Sequence, residues 1–563
     1  MSPTAGVRSA AERVVALLPT RADLRAARRQ PRRDVLAGVT VALVALPLAL
    51  AFGATSGLGA EAGLVTAVVA GLLAAVFGGS NFQISGPTGA MTVVLVPIAA
   101  TFGAPGVLMV GVMAGLILIG LAVAQAGRYV RLIPLPVIEG FTVGIAIVIA
   151  LQQVPATLGV SGEGEKVTAV AISAITSWFD APIWAPLLTA GAVAAVILLT
   201  ARLRPGFPIS LIAVAAAAVV VNRLDLDVAV IGGLPAGLPI PSLPDFPLSQ
   251  LSSLVVPAFA VAALAALESL LSATVADAMS VGERHDSDRE LFGQGIANVF
   301  APLFGGIPAT GAIARTAVNV RAGAHSRLSA VTQSVVLLLV VSIGAALVED
   351  IPLAALAGVL IATTVQMVEV SSLKALWRST RGDAFVLVAT AACTVLLDLV
   401  AAVVIGLILA GAYALRQVAR AARIDETPIH DESHTDEEVA LLKEHIVAYR
   451  LEGALFFGAA HSFLLDLSEV SDVRVVILRM SRITTLDATG AAVLADTIQR
   501  LEGRKITVLL SGVRPEHDHL LRRLKVYDAL THEDHVFATT PQAIEHGRDH
   551  VHRHALLHEQ VAP

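Results

Sequence analysis

A single cysteine, Cys393, stands in 563 residues, which rules out an intrachain disulfide and leaves no cysteine metal centre. Aromatic residues make up only 4% of the chain, with 3 Trp and 4 Tyr, so any interfacial aromatic belts are thin. Charge is also scarce. Asp, Glu, Lys and Arg total 15%, well below the roughly 25% of an ordinary soluble domain. No phosphate loop is present, and no nucleophile, base and orienting group fall into a recognisable constellation. The sequence therefore gives no support to an enzyme, to a bound nucleotide or to any other cofactor.

What it has in abundance is apolar sequence. Hydrophobic residues reach 55% and mean hydropathy is +0.76, which marks an integral membrane protein. Ala, Val, Leu and Gly dominate, as close packing of transmembrane helices favours. About 14 apolar segments, some of half length, lie between Asp34 and Arg423.

The formal net charge of -6 conceals an asymmetry. Arg8, Arg13, Arg21, Arg25, Arg28, Arg29, Arg32 and Arg33 crowd the first 33 residues, whereas acids gather after Asp425. Anchoring at an anionic inner leaflet is preferred over nucleic-acid binding. The apolar run Val14 to Pro19 is too short for a signal peptide. Arg128 with Arg131, Arg202 with Arg204, Arg321 with Arg327, Lys374 with Arg378 and Arg381, and Arg416 with Arg420 follow even-numbered spans. Positive-inside orientation then puts both termini in the cytoplasm and the chain in the inner membrane.

Five regions are expected. They are a basic segment (1–33), a transmembrane domain (34–423), a charged linker (424–444), a small α/β domain (445–545) and a His-rich tail (546–563). The tail carries His546, His550, His552, His554 and His558; a solvated tail is the reading adopted over a metal site.

Two interruptions of the apolar sequence resemble each other. QISGPTGAMTVV starts at Gln83 and GGIPATGAIARTAVNV at Gly305. Each sets Pro and Gly beside hydroxyls, immediately before a short helical run. Broken backbone inside a bilayer is tolerated where protein or a water-filled cavity satisfies it. A helix starting there turns unpaired N–H groups and its positive dipole end into the cavity, so it attracts anions. The first such start is expected around Thr88–Gly89 and the second around Thr310–Gly311, with Arg315 adding charge one turn in. Recurrence in two halves of about seven spans each suggests an inverted-repeat transporter.

In the eighth span, LAALESLLSATVADAMS from Leu264, Glu268 and Ser272 share a helical face. An intramembrane carboxylate is a functional hypothesis by default. Glu268 would exchange a coupling proton, or would ligate a cation together with Ser272. Asp277 is read as structural. Glu139 is left open, and Gln152 and Gln153 are read as interhelical hydrogen-bonders.

These motifs, with ALPLALAFG from Ala45 and ELFGQGIANVFAPLFGGIPATGAIARTAVNVRAGAHS from Glu290, resemble the sulfate permease (SulP) family of anion transporters. The C-terminal unit, with ITTLDATGAAVL from Ile483, resembles that family's STAS domain. The match runs from Asp34 to about Glu545. It implies 14 spans as a seven-plus-seven inverted repeat, a core domain moving against a gate domain, and a homodimer. Carried over residue by residue, the anion pocket implied is Phe52, Thr88, Gly89, Ala90, Thr310, Gly311, Ala312 and Arg315, with Glu268 at the coupling position.

Sodium-dependent cyanobacterial bicarbonate members carry Asp at the place of Glu268 and lack a base at that of Arg315, which favours proton over sodium coupling here. Many eukaryotic members have Gln where this chain has Leu48. Spans eight to ten also resemble members that carry C4-dicarboxylates. Sulfate, bicarbonate and dicarboxylate therefore stay open, as does an anion-sensing regulator acting through the STAS domain. In related bacterial regulators a hydroxyl residue at the place of Thr489 is phosphorylated; the preferred reading here is that Asp487 and Thr489 cap the following helix.

Overall fold

A computed structural model describes residues 10–164, 166–204, 209–233, 237–245, 248–280, 284–343, 348–397, 399–421, 423–427, 445–456 and 473–559. The chain divides into two compact units, Met1–Ile408 and Leu409–Pro563. Arg8 and most of the predicted linker, 428–444, lie outside the described residues.

The first unit is helical. Eight of its chain's described helices are long and apolar enough to cross a bilayer: Pro31–Thr55, Ala60–Phe77, Gly89–Val123, Leu135–Leu158, Trp184–Leu203, Leu251–Met279, Leu353–Ser379 and Ala401–Val418. Val167–Asp180, Ile209–Arg223 and Leu328–Ile343 are apolar but shorter. Length alone thus does not reproduce a count of 14. The third and fourth expected spans follow each other without a loop in the run Gly89–Val123, which is two helices separated at Gly103, where the backbone leaves the helical region (φ 67°, ψ -175°) just ahead of Pro105. Val167–Asp180, a helix of 14 residues, was not among the expected spans.

Small residues bring these helices together. A side chain on Gly115 would strike the carbonyl oxygen of Gly295, and one on Gly295 that of Gly115, so Gly89–Val123 and Ser287–Phe300 pack backbone to backbone. At mid-unit two short strands, β1 (Ser85–Gly86) and β2 (Thr310–Gly311), pair antiparallel, Ser85 opposite Gly311 and Gly86 opposite Thr310. The two predicted breaks are therefore bound directly to each other. Ahead of this unit's first long helix, the short helix Arg21–Ala27 is capped reciprocally by Thr20 and Asp23.

The second unit holds a five-stranded sheet in the order β3-β4-β5-β6-β7, formed by Arg423–Thr427, Ile446–Leu455, Val475–Leu486, Thr507–Ser511 and Val536–Phe537. The first pair is antiparallel and the rest are parallel. Alternation decides the two faces. Val476, Leu478 and Met480 pack with Leu494, Ile498 and Leu501 of the helix Ala488–Gly503. Val475 and Ile477 point the other way and meet Ala543 of the helix Thr540–Glu559. Residues 546–559, expected as a solvated tail, continue that helix, with Val551 packed against the same face.

Candidate functional site

The first break ends in an N-cap. Thr88 has extended backbone, its hydroxyl oxygen accepts from the N–H of Met91, and the helix runs on from Gly89. The second helix starts at Ile313, with Ala312 as its N-cap residue, two to three positions later than expected, because Thr310 and Gly311 are taken up by β2. Ala312 then donates its N–H to the carbonyl of Ile84, extending the contact between the breaks.

Glu268 sits where the two breaks meet. Its Oε2 accepts from the hydroxyl of Thr88 at 2.7 Å and from that of Thr310 at 2.6 Å. The two hydroxyl oxygens are themselves 3.0 Å apart. One carboxylate oxygen therefore ties both break segments to the helix Val255–Met279. Ser272, four residues on, does not join it. Its hydroxyl donates to Thr316, whose oxygen also accepts from the N–H of Ile84. The neighbour Ser269, unremarked in the sequence, accepts from the N–H of Gly311 at 2.9 Å.

Arg315 is 2% exposed. It does not snorkel to an interface. Its Nη2 donates to the carbonyl of Pro87, the residue before Thr88, while Nη1 is buried without a partner among the described residues. The second helix thus holds the backbone of the first break and keeps one guanidinium N–H uncommitted. Phe52, Ala90, Gly311 and Ala312 are buried around this point. Gly89 has no room for a side chain: a Cβ there would meet Ile149 at 2.3 Å and the Phe52 ring at 3.2 Å. Its N–H and that of Ala90 belong to the first helical turn, which has no intrahelical acceptor for them.

Beneath the breaks lies a buried polar network that sequence reading passed over. Glu290, Gln294 and Asn298 repeat every four residues on Ser287–Phe300. Glu290 accepts from the N–H groups of Gly79 and Ser80 and from the Gln83 amide. Gln294 donates to Ser85 at 2.6 Å, and Asn298 both donates to and accepts from the backbone of Ala309. One face of one helix therefore holds the approach to each break. The i, i+4, i+8 spacing of three amide or acid groups in an apolar helix was the available signal.

The other expected residues fall elsewhere. Asp277 bonds the Nδ1 and backbone N–H of His285, a structural use. Glu139 accepts from Ser372 at 2.7 Å. Both amide atoms of Gln152 and the Nε2 of Gln153 are buried without a hydrogen bond among the described residues, so neither shows the interhelical bond expected of it. In the second unit Asp487 caps Ala488–Gly503 by accepting from Gly490 at 2.7 Å, while Thr489 is exposed at that helix's second position.

Comparison with known proteins agrees with this architecture. The model of the "Sulfate permease family" matches residues 32–390, and that of the "STAS domain" matches 439–543. The chain is 36% identical over 505 residues to the "Putative sulfate transporter YvdB" of Bacillus subtilis (strain 168), covering 88% of this chain and 94% of that protein. The solved transmembrane domain of a cyanobacterium bicarbonate transporter, BicA, is 35% identical, covers 67% of this chain and 98% of that one, and superposes with a TM-score of 0.62. The murine Slc26a9 anion transporter in the inward-facing state shares the fold, with a TM-score of 0.83 at 17% identity, over 98% of this chain and 96% of that one.

Proposed function

The chain belongs to the sulfate permease family, and from that premise we propose that it moves a small anion of the sulfate or bicarbonate class across the cytoplasmic membrane by proton-coupled alternating access. The observation that carries this reading is the sharing of one Glu268 oxygen by Thr88 and Thr310.

Proton counting gives that observation a mechanism. Each threonine hydroxyl has one proton to donate. With Glu268 ionised, both protons are committed to Oε2, and an anion placed between the breaks meets a negative charge and no hydroxyl donor. With Glu268 protonated, the carboxyl O–H is itself donated to one threonine. The threonine protons are then free to turn to an anion, and the opposing charge is gone. The N–H groups of Gly89 and Ala90, the second helix start and the free Nη1 of Arg315 supply the remaining donors. Anion and proton thus favour each other's binding, which is what symport requires. Both termini are placed on the cytoplasmic side and the active form is a homodimer in this reading.

Counterflow of labelled sulfate, bicarbonate and succinate in proteoliposomes tests it. Saturable uptake of one anion, driven by an inward proton gradient and indifferent to sodium, is the expected result. Preferred uptake of succinate would move the substrate to the C4-dicarboxylates. Absence of flux under every gradient would overturn transport and leave an anion sensor acting through the C-terminal unit.

A further inference from the structure

The second unit contains a histidine cluster that anion transport does not use. His535 ends a short turn, Glu533–His535, just before β7, while His546 and His550 lie one turn apart on the helix Thr540–Glu559. The sequence separates the first from the other two by more than ten residues, and the fold closes the gap. The ring centroids are 5.4 Å apart for His535 and His546, 5.3 Å for His535 and His550, and 5.0 Å for His546 and His550. One ring nitrogen from each lies within 4.8 Å of the others.

Three features distinguish this from casual crowding. His535 is only 1% exposed, and its Nδ1 is buried without a hydrogen bond among the described residues. The Nε2 of His546 is likewise buried and has no hydrogen bond among the described residues. A buried ring nitrogen left without a partner keeps its full desolvation cost, so a ligand that satisfies both is favoured by the fold itself. Finally, the rings converge from two separate elements held by a packed core, since Ala543 and Phe537 seat the helix and β7 on the sheet.

We propose that His535, His546 and His550 bind one divalent transition-metal ion, zinc by the chemistry of the donor set. Three neutral imidazoles suit zinc, copper, nickel or cobalt and not magnesium or calcium, which take oxygen ligands. Tetrahedral Zn–N bonds of 2.0–2.1 Å put the ligand nitrogens about 3.3 Å apart, so small ring rotations close the cluster on the ion. Three protein ligands leave a fourth position for water or a further donor. The ion would fasten the last helix to the loop before β7. This site stands apart from the transport reading and does not depend on it.

The test uses the full chain in detergent, purified through an affinity tag free of histidine, stripped with chelator and titrated with Zn2+ and Co2+. The expected result is one Zn2+ per chain at micromolar affinity or tighter, with the intense visible bands of four-coordinate Co2+. His546→Ala and the milder His550→Gln should each weaken binding at least tenfold. A triple change of the remaining tail histidines, His552→Ala, His554→Ala and His558→Ala, should leave it unchanged. Equal affinity in His550→Gln and the parent, loss of binding in the tail triple instead, or weak octahedral Co2+ spectra would each overturn the site.

Discussion

The hydroxyl oxygens of Thr88 and Thr310, 222 residues apart in sequence, lie 3.0 Å from each other and converge on one oxygen of Glu268. Two chain breaks and one intramembrane acid therefore behave as one unit. With Glu268 protonated each hydroxyl is free to donate to the anion, so removing either takes away a charge-assisted bond to it worth about 1.5–3 kcal/mol, which corresponds to roughly tenfold to a hundredfold in a binding or rate constant. Thr88→Val and Thr310→Val should each lower kcat/KM for anion uptake by that factor, whereas Thr88→Ser and Thr310→Ser keep most of it. Full uptake in both valine variants would remove the hydroxyls from the mechanism.

Arg315 has two tasks in this account, bracing Pro87 and presenting Nη1. Only a guanidinium does both, since Lys has a single compact charged head. Arg315→Lys should therefore raise KM at least tenfold despite keeping the charge, and Arg315→Ala should raise it further. Steady-state uptake over a range of anion concentrations reads this directly; a lysine variant with the parental KM would reduce Arg315 to a point charge.

Glu290 is placed in the scaffold, with its oxygens satisfied by Gly79, Ser80, Gln83 and Gln294. Glu290→Ala leaves those buried donors unpaired, at about 1–3 kcal/mol per group. Its melting temperature in detergent should fall by several degrees. At a temperature where the variant is still folded, the pH dependence of its residual transport should match the parent's. A changed pH profile would put Glu290 in the coupling step instead.

Of the fold, much was legible in sequence, and the reasons differ by element. The apolar runs, the paired breaks at Gln83 and Gly305 and the strand alternation in the C-terminal unit carry their own periodicity. The intramembrane Glu268 stood out because charge is rare in such helices. Legibility stopped where function depends on contacts between distant segments. Helical spacing singles out Ser272 and gives no sign of Ser269, yet Gly311 approaches the helix on the side of Ser269. The Glu290, Gln294 and Asn298 face was visible as spacing, yet its partners on Gly79, Ser85 and Ala309 come from elsewhere in the chain. His546 and His550 read as tail because the sequence gives no sign that His535 lies beside them.

A pH effect follows from the N-terminal helix. Burial alone would raise the Asp23 carboxyl, but the Arg289 hydrogen bonds, the Thr20 N–H and the charges of Arg327 and Arg289 outweigh it and hold Asp23 at about 2, below its usual 3.8. A depressed acid contributes stability above its unfolded value and loses it as pH falls toward the folded one. Asp23→Asn should thus lower the melting temperature by a constant amount between about pH 5 and 8, for a loss on the order of 1–2 kcal/mol. Below about pH 4 the two melting curves should converge. A gap that stays constant below about pH 4 would mean that the ionised form is not what anchors the helix.

The most direct measurement of the central claim is initial anion uptake by Glu268→Gln across a pH series, set beside the parent in the same proteoliposomes. Glutamine keeps the shape and a hydrogen-bonding oxygen for Thr88 and Thr310 while fixing the neutral state. The account predicts that the parent's uptake rises with external acidity, and that the variant exchanges anion across the membrane without pH dependence and without accumulation against a gradient. A variant that retained the parent's pH profile and proton-driven accumulation would contradict it.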